Sequence, residues 1–198
     1  MVVSKKRMSS RMVSKQQQLR WLQEGRGKGQ LDTYKPFLNV RDNKSLTERS
    51  SRVYGYKTQR THHLFSDLEL ALFLALDRIQ DIEDIREQIP LDLETTVQIA
   101  EDLKIPHPIE QNVHQIITST FFIVNHSPLK PPCFVVKALK STHLELKRTI
   151  AQLELERRYW EQKNIPWFLF TEKDISPTAI DNIKWLYPLN KVNTDIYT

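Results

Sequence analysis

The sequence predicts an α/β domain in which helices flank a mixed central sheet. Two β-rich runs, residues 113–124 and 132–140, are separated by the proline-containing segment "NHSPLKPP". A long helical pattern follows over residues 142–164, and it leads into the apolar stretch "IPWFLFTEKDI". A strand, a crossover helix and a second strand in this order favour parallel pairing. The last stretch is apolar on both faces, which is typical of a buried central strand.

Further elements are predicted on either side of this unit. A helix capped by Ser66 or Asp67 is expected to reach about residue 80, and a strand to end at Pro90. Residues 92–105 are expected to form a helix, and another is expected to start at Ser176–Pro177. Nearer the N-terminus, "QQQLRWLQEG" favours a short helix that stops at Gly25, after a segment, residues 1–15, that is expected to be disordered.

Composition argues against several classes of protein. No segment approaches the roughly 20 apolar residues of a membrane-spanning helix, and the first residues lack the apolar core of a signal peptide. Cys133 is the one cysteine, so an internal disulfide is impossible, which fits a reducing, cytoplasmic location. One cysteine among six histidines, without an HxxxH spacing, disfavours a zinc site.

The basic charge is concentrated in the N-terminal part of the chain. Residues 1–60 carry 15 Lys or Arg against 4 Asp or Glu, and the remaining residues are net acidic. Basic segments bind phosphate backbones by releasing counterions, although a solvated basic tail has the same composition. We divide the chain into a basic arm (1–30), a domain (31–190) and a tail (191–198). The candidate DNA-contacting residues are Arg26, Lys28, Arg49, Arg52, Lys57 and Arg60. Both stretches that hold them have a plainer interpretation, a flexible turn for "EGRGKGQ" and an exposed strand for residues 49–63.

Two charged residues do not fit their apolar surroundings. On a helical projection Glu69 falls on the apolar side of "SDLELALFLAL", where an unpaired carboxylate would be costly. Lys137 lies in "CFVVKALK", which is apolar on both faces. Taken alone, a lysine at a strand end extends its ammonium to water. Taken together, the acid and the lysine predict either a structural ion pair or a functional site.

Several long stretches of the sequence resemble a known family. The stretches "RTHHLFSDLELALFLALD", "DIREQIPL", "LELERRYWEQKNIPWFLFTEKDI" and "NIKWLYPL" are similar to the TnsA subunit of heteromeric, cut-and-paste transposases. The preceding "WLQEGRGKGQLDTYKPFL" is similar to the N-terminal region of that family. The resemblance covers roughly residues 18–190.

The resemblance implies a restriction-endonuclease-like domain that cuts the non-transferred strand at transposon ends in bacterial cells. It also implies Mg²⁺ as cofactor, a TnsB-like transposase and a TnsC-like ATPase as partners, and relatives in CRISPR-associated transposons. The family commonly continues into a helical C-terminal domain that meets TnsC. This sequence ends at "NKVNTDIYT", which makes the TnsC contact the weaker of the two partner expectations.

The resemblance also assigns roles to individual residues, and two positions of this sequence differ from the family's pattern. Glu69 matches the family's metal-binding glutamate, and Lys137 matches the lysine that orients or activates water. The family's second ligand, an aspartate, falls on Thr120 or Phe121, and its glutamine falls on Val135. Residues 111–144 contain no Asp or Glu at all, so no shift of alignment supplies the missing carboxylate.

We therefore expect a degenerate metal site. Glutamate, aspartate and lysine together carry a charge of −1, which attracts a dication, whereas Glu69 with Lys137 sums to zero. The two are expected to form a buried ion pair, or a weak single-metal site that DNA completes. Two functions are compatible with this expectation: a scaffold on a nuclease fold within the transposase–DNA assembly, or an active Mg²⁺-dependent endonuclease.

Overall fold

The computed structural model describes residues 13–42 and 49–187 of the 198-residue chain. The predicted tail, residues 191–198, lies outside the described residues, as does most of the segment for which disorder was expected. The helices within the described ranges are α1 (Lys15–Gln23), α2 (Asp67–Leu76), α3 (Leu93–Leu103), α4 (Lys147–Gln162) and α5 (Pro177–Leu186). The strands are β1 (Ser51–Gly55), β2 (Arg60–Leu64), β3 (Ile82–Pro90), β4 (Ile109–Glu110), β5 (Val113–His114), β6 (Thr118–Asn125), β7 (Cys133–Ala138) and β8 (Trp167–Phe170).

A four-stranded mixed sheet forms the centre of the fold, as predicted. Its strand order is β3-β6-β7-β8. The β3–β6 and β6–β7 pairs are antiparallel, whereas β7 and β8 are parallel and joined by α4. The predicted crossover unit is therefore confirmed. Two antiparallel pairs, β1–β2 and β4–β5, lie outside this sheet.

Each face of the sheet is covered by a separate apolar core. On one face Phe121 and Val136 pack in a cluster with Leu68, Leu72 and Phe73 of α2. On the other face, buried side chains of β7, α3 and α4 form a second cluster: Val135, Ile99, Leu155, Tyr159 and Trp160. The alternation of side chains along a strand produces this division, because neighbouring residues of β7 enter different cores.

Three predicted helix starts coincide with hydrogen-bonded caps. The Ser66 hydroxyl accepts the Glu69 N–H at 3.1 Å, and the Asp92 carboxylate accepts the Thr95 N–H at 2.9 Å. At α5, the Ser176 hydroxyl accepts from the backbone of residue 179 at 3.1 Å. Each cap satisfies a donor that the first turn of a helix leaves without an intrahelical partner.

Three predicted elements differ from the structure. The run expected over residues 113–124 forms two separate strands, β5 and β6, which belong to different sheets. The strand expected at the centre of the sheet is β8, which lies at one edge of the four-stranded sheet, with Phe168 54% exposed. Its apolar pattern arises because Trp167 enters the second core while Phe168 meets the ring of Phe134. The long helix starts at Lys147 rather than near residue 142, because residues 141–145 form a 3₁₀ turn. The Ser141 N–H in that turn donates to the Glu172 carboxylate at 2.8 Å.

The described part of the predicted N-terminal arm packs on the domain. Trp21 of α1 is buried against Phe37 in an edge-to-face contact, with ring centroids 5.5 Å apart. The buried Gln18 amide donates to the His114 carbonyl and accepts the Ile116 N–H. Helix α1 is thus fixed by both apolar and polar contacts. Among the described residues, no helix has the length and apolarity needed to cross a bilayer.

Candidate functional site

Glu69 lies in the first turn of α2, and it is buried as the sequence predicts. The residue as a whole is only 8% exposed to solvent. One carboxylate oxygen accepts the backbone N–H of Phe65 at 2.7 Å, just before the helix begins. A carboxylate in this position also interacts favourably with the positive end of the helix dipole. The local fold therefore compensates part of the hydration that burial removes from Glu69.

Lys137 projects from β7 toward α4. Its ammonium donates to the Thr118 carbonyl at 2.8 Å and lies 3.1 Å from the Glu156 carboxylate. Lys137 therefore pairs with a carboxylate of α4, whereas the sequence-based expectation paired it with Glu69 of α2. The lysine side chain remains 23% exposed. Lys137 thus contacts solvent on one side and the buried Glu156 carboxylate on the other.

Glu156 is the residue of this site that the sequence interpretation missed. It is 1% exposed, and its second oxygen accepts the indole N–H of Trp167 at 3.1 Å. Both oxygens of the carboxylate are thereby engaged. The available signal was its spacing, since Glu156 lies three and four residues before the buried Tyr159 and Trp160. That signal is weak, because Glu156 stands in the charged stretch "LELERR", whose pattern is also typical of a solvated helix face.

Of the two residues predicted for the missing aspartate, Thr120 lies opposite Lys137 in the sheet, whereas Phe121 packs in the core beneath α2. Phe121 pairs with Val136 in the β6–β7 register, so Thr120 and Lys137 occupy the next positions along the two strands. The Thr120 hydroxyl accepts the Ala138 N–H at 3.1 Å. Phe121, in contrast, is fully buried against α2. Val135, at the position of the family's glutamine, is fully buried in the second core.

The described side chains around Lys137 offer few free oxygen ligands to a magnesium ion. Magnesium requires several hard oxygen ligands, of which one or two are usually carboxylates. Here Thr120 supplies a neutral hydroxyl, and the Glu156 carboxylate is neutralised by Lys137. Across residues 13–42 and 49–187, no three His, Cys, Asp or Glu side chains lie close enough to hold a metal.

An open pocket adjoins this site. It has a volume of about 490 Å³ and lies between α1, the segment after β5 and the start of α4. Its lining includes Trp21, Phe65, Thr118 and Lys137, with Arg148 contributing a second positive charge. A larger groove, about 670 Å³, is lined by other residues of α1 and by the start of α3. The pocket beside Lys137 therefore combines two basic side chains with one of the candidate site residues.

A second charged group lies inside the domain, centred on Glu87 of β3. Its carboxylate accepts two hydrogen bonds from the Arg60 guanidinium, at 2.8 and 2.6 Å, and one from His62 Nδ1 at 2.7 Å. Complete burial by itself raises the pKa of Glu87, but His62 and Arg60 outweigh that effect and hold the pKa well below its ordinary value. The stabilisation is therefore complete at neutral pH and is lost as acid protonates the carboxylate.

The six predicted DNA-contacting residues differ in accessibility. Arg60 is buried in the Glu87 network, so its guanidinium is a structural group rather than one presented to a phosphate. Arg26 is largely buried as well, since it pairs with Glu24 and Asp42 and stacks over Trp21. The exposed members of the predicted set are Lys28, Arg49 and Arg52, and Lys57 is partly exposed.

Comparison with known proteins identifies the family. A family model described as TnsA-like endonuclease N terminal matches residues 80–172. The chain is also 46% identical, over 169 residues, to the transposon Tn7 transposition protein TnsA of Escherichia coli. That alignment covers 85% of this chain. The chain is a TnsA-like protein.

The comparison confirms the predicted fold class. It also shows that the chain spans only part of the length of its relative. A TnsA-like endonuclease domain implies the restriction-endonuclease-like fold, with which the four-stranded mixed sheet and its flanking helices agree. The chain spans 61% of the length of Tn7 TnsA. The match over residues 80–172 includes Thr120, Lys137 and Glu156, whereas Glu69 precedes it. Homology to an endonuclease suggests dependence on a divalent metal without specifying which one.

The Lys137–Glu156 pair of the TnsA-like protein should be strongly coupled. We expect Lys137→Met to lower the free energy of unfolding by about 2–4 kcal/mol, because it leaves a buried carboxylate without its cation. Adding Glu156→Gln should recover much of that loss. Urea denaturation of the two single variants and the double variant measures the coupling. Additive losses would show that the two side chains do not interact.

Proposed function

We propose that this TnsA-like protein is a DNA-transposition subunit whose metal site is degenerate. It acts with a TnsB-like transposase and a TnsC-like ATPase on transposon-end DNA, as a scaffold on a nuclease fold. The observation that carries the proposal is the pairing of Lys137 with Glu156, beside a threonine where the family resemblance places an aspartate. Without that aspartate, the site lacks a second carboxylate that is free to bind a metal, since the Glu156 carboxylate is paired with Lys137.

Electrostatics support the DNA-binding part of the proposal. The first 60 residues carry a large excess of positive charge. Of the predicted contact residues, Lys28, Arg49 and Arg52 are exposed, so their charges are available to phosphate groups. Arg148 extends the positive charge to the pocket beside Lys137. These side chains would bind the backbone without reading its sequence, and TnsB would recognise the transposon ends.

The alternative function is Mg²⁺-dependent cleavage of the non-transferred strand at transposon ends. It is favoured by the presence of both Glu69 and Lys137, with the lysine at an open pocket. In that case DNA phosphates would have to provide the oxygen ligands that the protein lacks, since magnesium is often bound by few carboxylates together with substrate phosphates.

A nicking assay separates the two functions. Labelled transposon-end DNA is incubated with the partner transposase and the native chain, first in Mg²⁺ and then in Mn²⁺. We expect the chain to bind DNA and to stimulate the partner while the non-transferred strand stays intact. Glu69→Ala should give the same pattern, as should Glu94→Ala, which removes an exposed carboxylate. A nick made by the native chain and by Glu94→Ala, but not by Glu69→Ala, would establish the enzymatic function instead.

A further inference from the structure

A separate cleft of about 380 Å³ lies beside the hairpin formed by β1 and β2. One wall belongs to the segment after α1 and includes Lys35, and the other belongs to β2 and includes Thr61 and His63. Within the described part of the chain, the cleft shares no lining residue with the pocket beside Lys137. We call it the hairpin cleft, and it is a second candidate binding site.

Most charged side chains in the walls of the hairpin cleft already have partners. Arg26 and Arg60 each pair with carboxylates of the protein. Lys35 is exposed, and its ammonium makes one hydrogen bond to a described residue, at a long 3.4 Å, with the Glu24 carbonyl. Asp32 is exposed as well and supplies a negative charge to the lining. Lys35 is therefore the cation of this cleft that can bind a ligand most readily.

A backbone contact determines where the ring of His63 carries its proton. The Val40 N–H donates to His63 Nδ1 at 3.2 Å. A backbone amide nitrogen can only donate, so Nδ1 is unprotonated and the proton of the ring is on Nε2. Burial lowers the pKa of His63 and outweighs the opposing effect of the Glu87 carboxylate, which agrees with a neutral ring. No hydrogen bond joins Nε2 to another described residue, so its N–H is available to a ligand.

The hairpin places further donors on the same face as His63. Alternate residues of a strand share one face, so Thr61 lies beside His63, and both line the hairpin cleft. Thr61 is exposed, and its hydroxyl makes no hydrogen bond with another described residue. Across the hairpin, Arg52 pairs in register with His63 and is exposed. A hydroxyl, an imidazole N–H and a nearby guanidinium are thus grouped on this face.

Hydrogen-bond donors combined with a cation are the groups that recognise phosphate oxygens. We propose that Lys35, Thr61 and His63 bind a phosphate group in the hairpin cleft, and that the DNA backbone supplies it. The inference rests on the DNA-binding part of the proposed function and names one site of contact.

The neighbours of the hairpin cleft favour DNA as the source of the phosphate. The Lys35 N–H donates to the Lys28 carbonyl at 3.1 Å, so the exposed Lys28 adjoins one wall. The exposed Arg52 adjoins the other wall, through its pairing with His63. Both are predicted DNA-contacting residues. A strand of DNA that contacts both would pass over the cleft, which places one of its phosphates within reach of the donors.

Fluorescence anisotropy of a labelled DNA duplex, titrated with the full chain over a series of salt concentrations, tests the site. Lys35→Met and His63→Asn should each weaken binding about 10-fold, because each removes a hydrogen bond to a charged oxygen. Lys35→Met should also reduce the slope of log K against log salt concentration by about 1. The asparagine retains an acceptor for the Val40 N–H while the imidazole N–H is lost. Thr61→Val removes a hydroxyl at nearly constant shape and should weaken binding by about 2–10-fold.

Two control variants separate this site from general electrostatics. Lys104→Met removes an exposed positive charge at the end of α3, outside the hairpin cleft, and should leave binding unchanged. Asp32→Asn removes a negative charge from the cleft and should strengthen binding by about 2–5-fold. Equal losses for Lys35→Met and Lys104→Met would show that only overall charge matters and would overturn the site.

¹⁵N NMR of the His63 ring distinguishes the two sources of phosphate. The free chain should show His63 protonated at Nε2, and a DNA duplex should shift that signal at far lower concentrations than inorganic phosphate does. A shift with inorganic phosphate but none with the duplex would assign the cleft to a free phosphate instead of DNA. No shift with either, or a proton on Nδ1, would overturn the site.

Failure of this inference can be told apart from failure of the proposed function. If the native chain binds the duplex and none of the substitutions at Lys35, Thr61 and His63 weakens binding, the hairpin cleft is not the site, and DNA binding by the chain stands. If the native chain does not bind the duplex even at low salt, the DNA-binding part of the proposed function is wrong as well.

Discussion

Replacing Thr120 by aspartate is expected to increase magnesium-dependent cleavage of transposon-end DNA by more than about 10²-fold, since even outer-shell partners of a metal contribute about 10–100-fold. The new carboxylate would lie next to Lys137 on the facing strand. The Ala138 N–H that now donates to the threonine would donate to the aspartate and favour its charged form. The substitution would add a second candidate metal-binding carboxylate and one further negative charge to the site. Strand-specific nicking with the TnsB-like partner and Mg²⁺ measures the gain.

Two variants serve as controls for this result. Thr120→Asn has nearly the same shape as the aspartate but no charge, so it should remain inactive. Phe121→Asp tests the other alignment of the family's aspartate. Because Phe121 is fully buried in the first core, this variant should lose stability without gaining activity. A folded Thr120→Asp variant that neither binds magnesium nor cuts DNA would show that the missing carboxylate is not what limits cleavage.

The aspartate is best introduced alone. Adding Val135→Gln would complete the family's pattern, but Val135 packs fully buried among apolar side chains of the second core. A glutamine there would bury an amide at a cost of about 1–3 kcal/mol unless it found hydrogen-bond partners. Loss of activity in the double variant could therefore reflect unfolding rather than chemistry. The single substitution avoids this ambiguity.

Local sequence patterns predicted most elements of this fold, because each depends on residues close together in the chain. The caps at Ser66, Asp92 and Ser176 and the crossover from β7 to β8 are examples. The place of β8 in the sheet could not be predicted in this way. An edge strand whose faces contact a core and an aromatic ring has the same apolar pattern as a central strand.

The candidate site was only partly predictable for a related reason. Burial of Glu69 follows from the helical pattern around it, and the structure confirms it. The partner of Lys137 depends on how α4 crosses the sheet, which no local pattern specifies. Arg60 was expected to be exposed in a basic stretch, but its partner Glu87 is 27 residues away on another strand. Long-range pairs of this kind require the tertiary structure.

The Glu87 network should contribute more to stability than any surface ion pair of this chain. We expect Glu87→Gln to lower the free energy of unfolding by about 3–5 kcal/mol, because it leaves the buried Arg60 guanidinium without a counter-charge. For a chain of this length, that corresponds to a fall in Tm of about 6–20 °C. Urea and thermal unfolding at neutral pH measure the loss.

Two further variants show whether the loss comes from a broken buried pair. Lys130→Ala removes a cation from the exposed pair with Asp81 and should leave stability unchanged within error. Replacing both members of the buried pair, Arg60→Met with Glu87→Leu, should recover part of the loss, since neither charge then remains unpaired. His62 would still lack its acceptor, so recovery should be incomplete. A Glu87→Gln variant as stable as the native chain would mean that water replaces the carboxylate in the network, and that Arg60 is more accessible than its burial indicates.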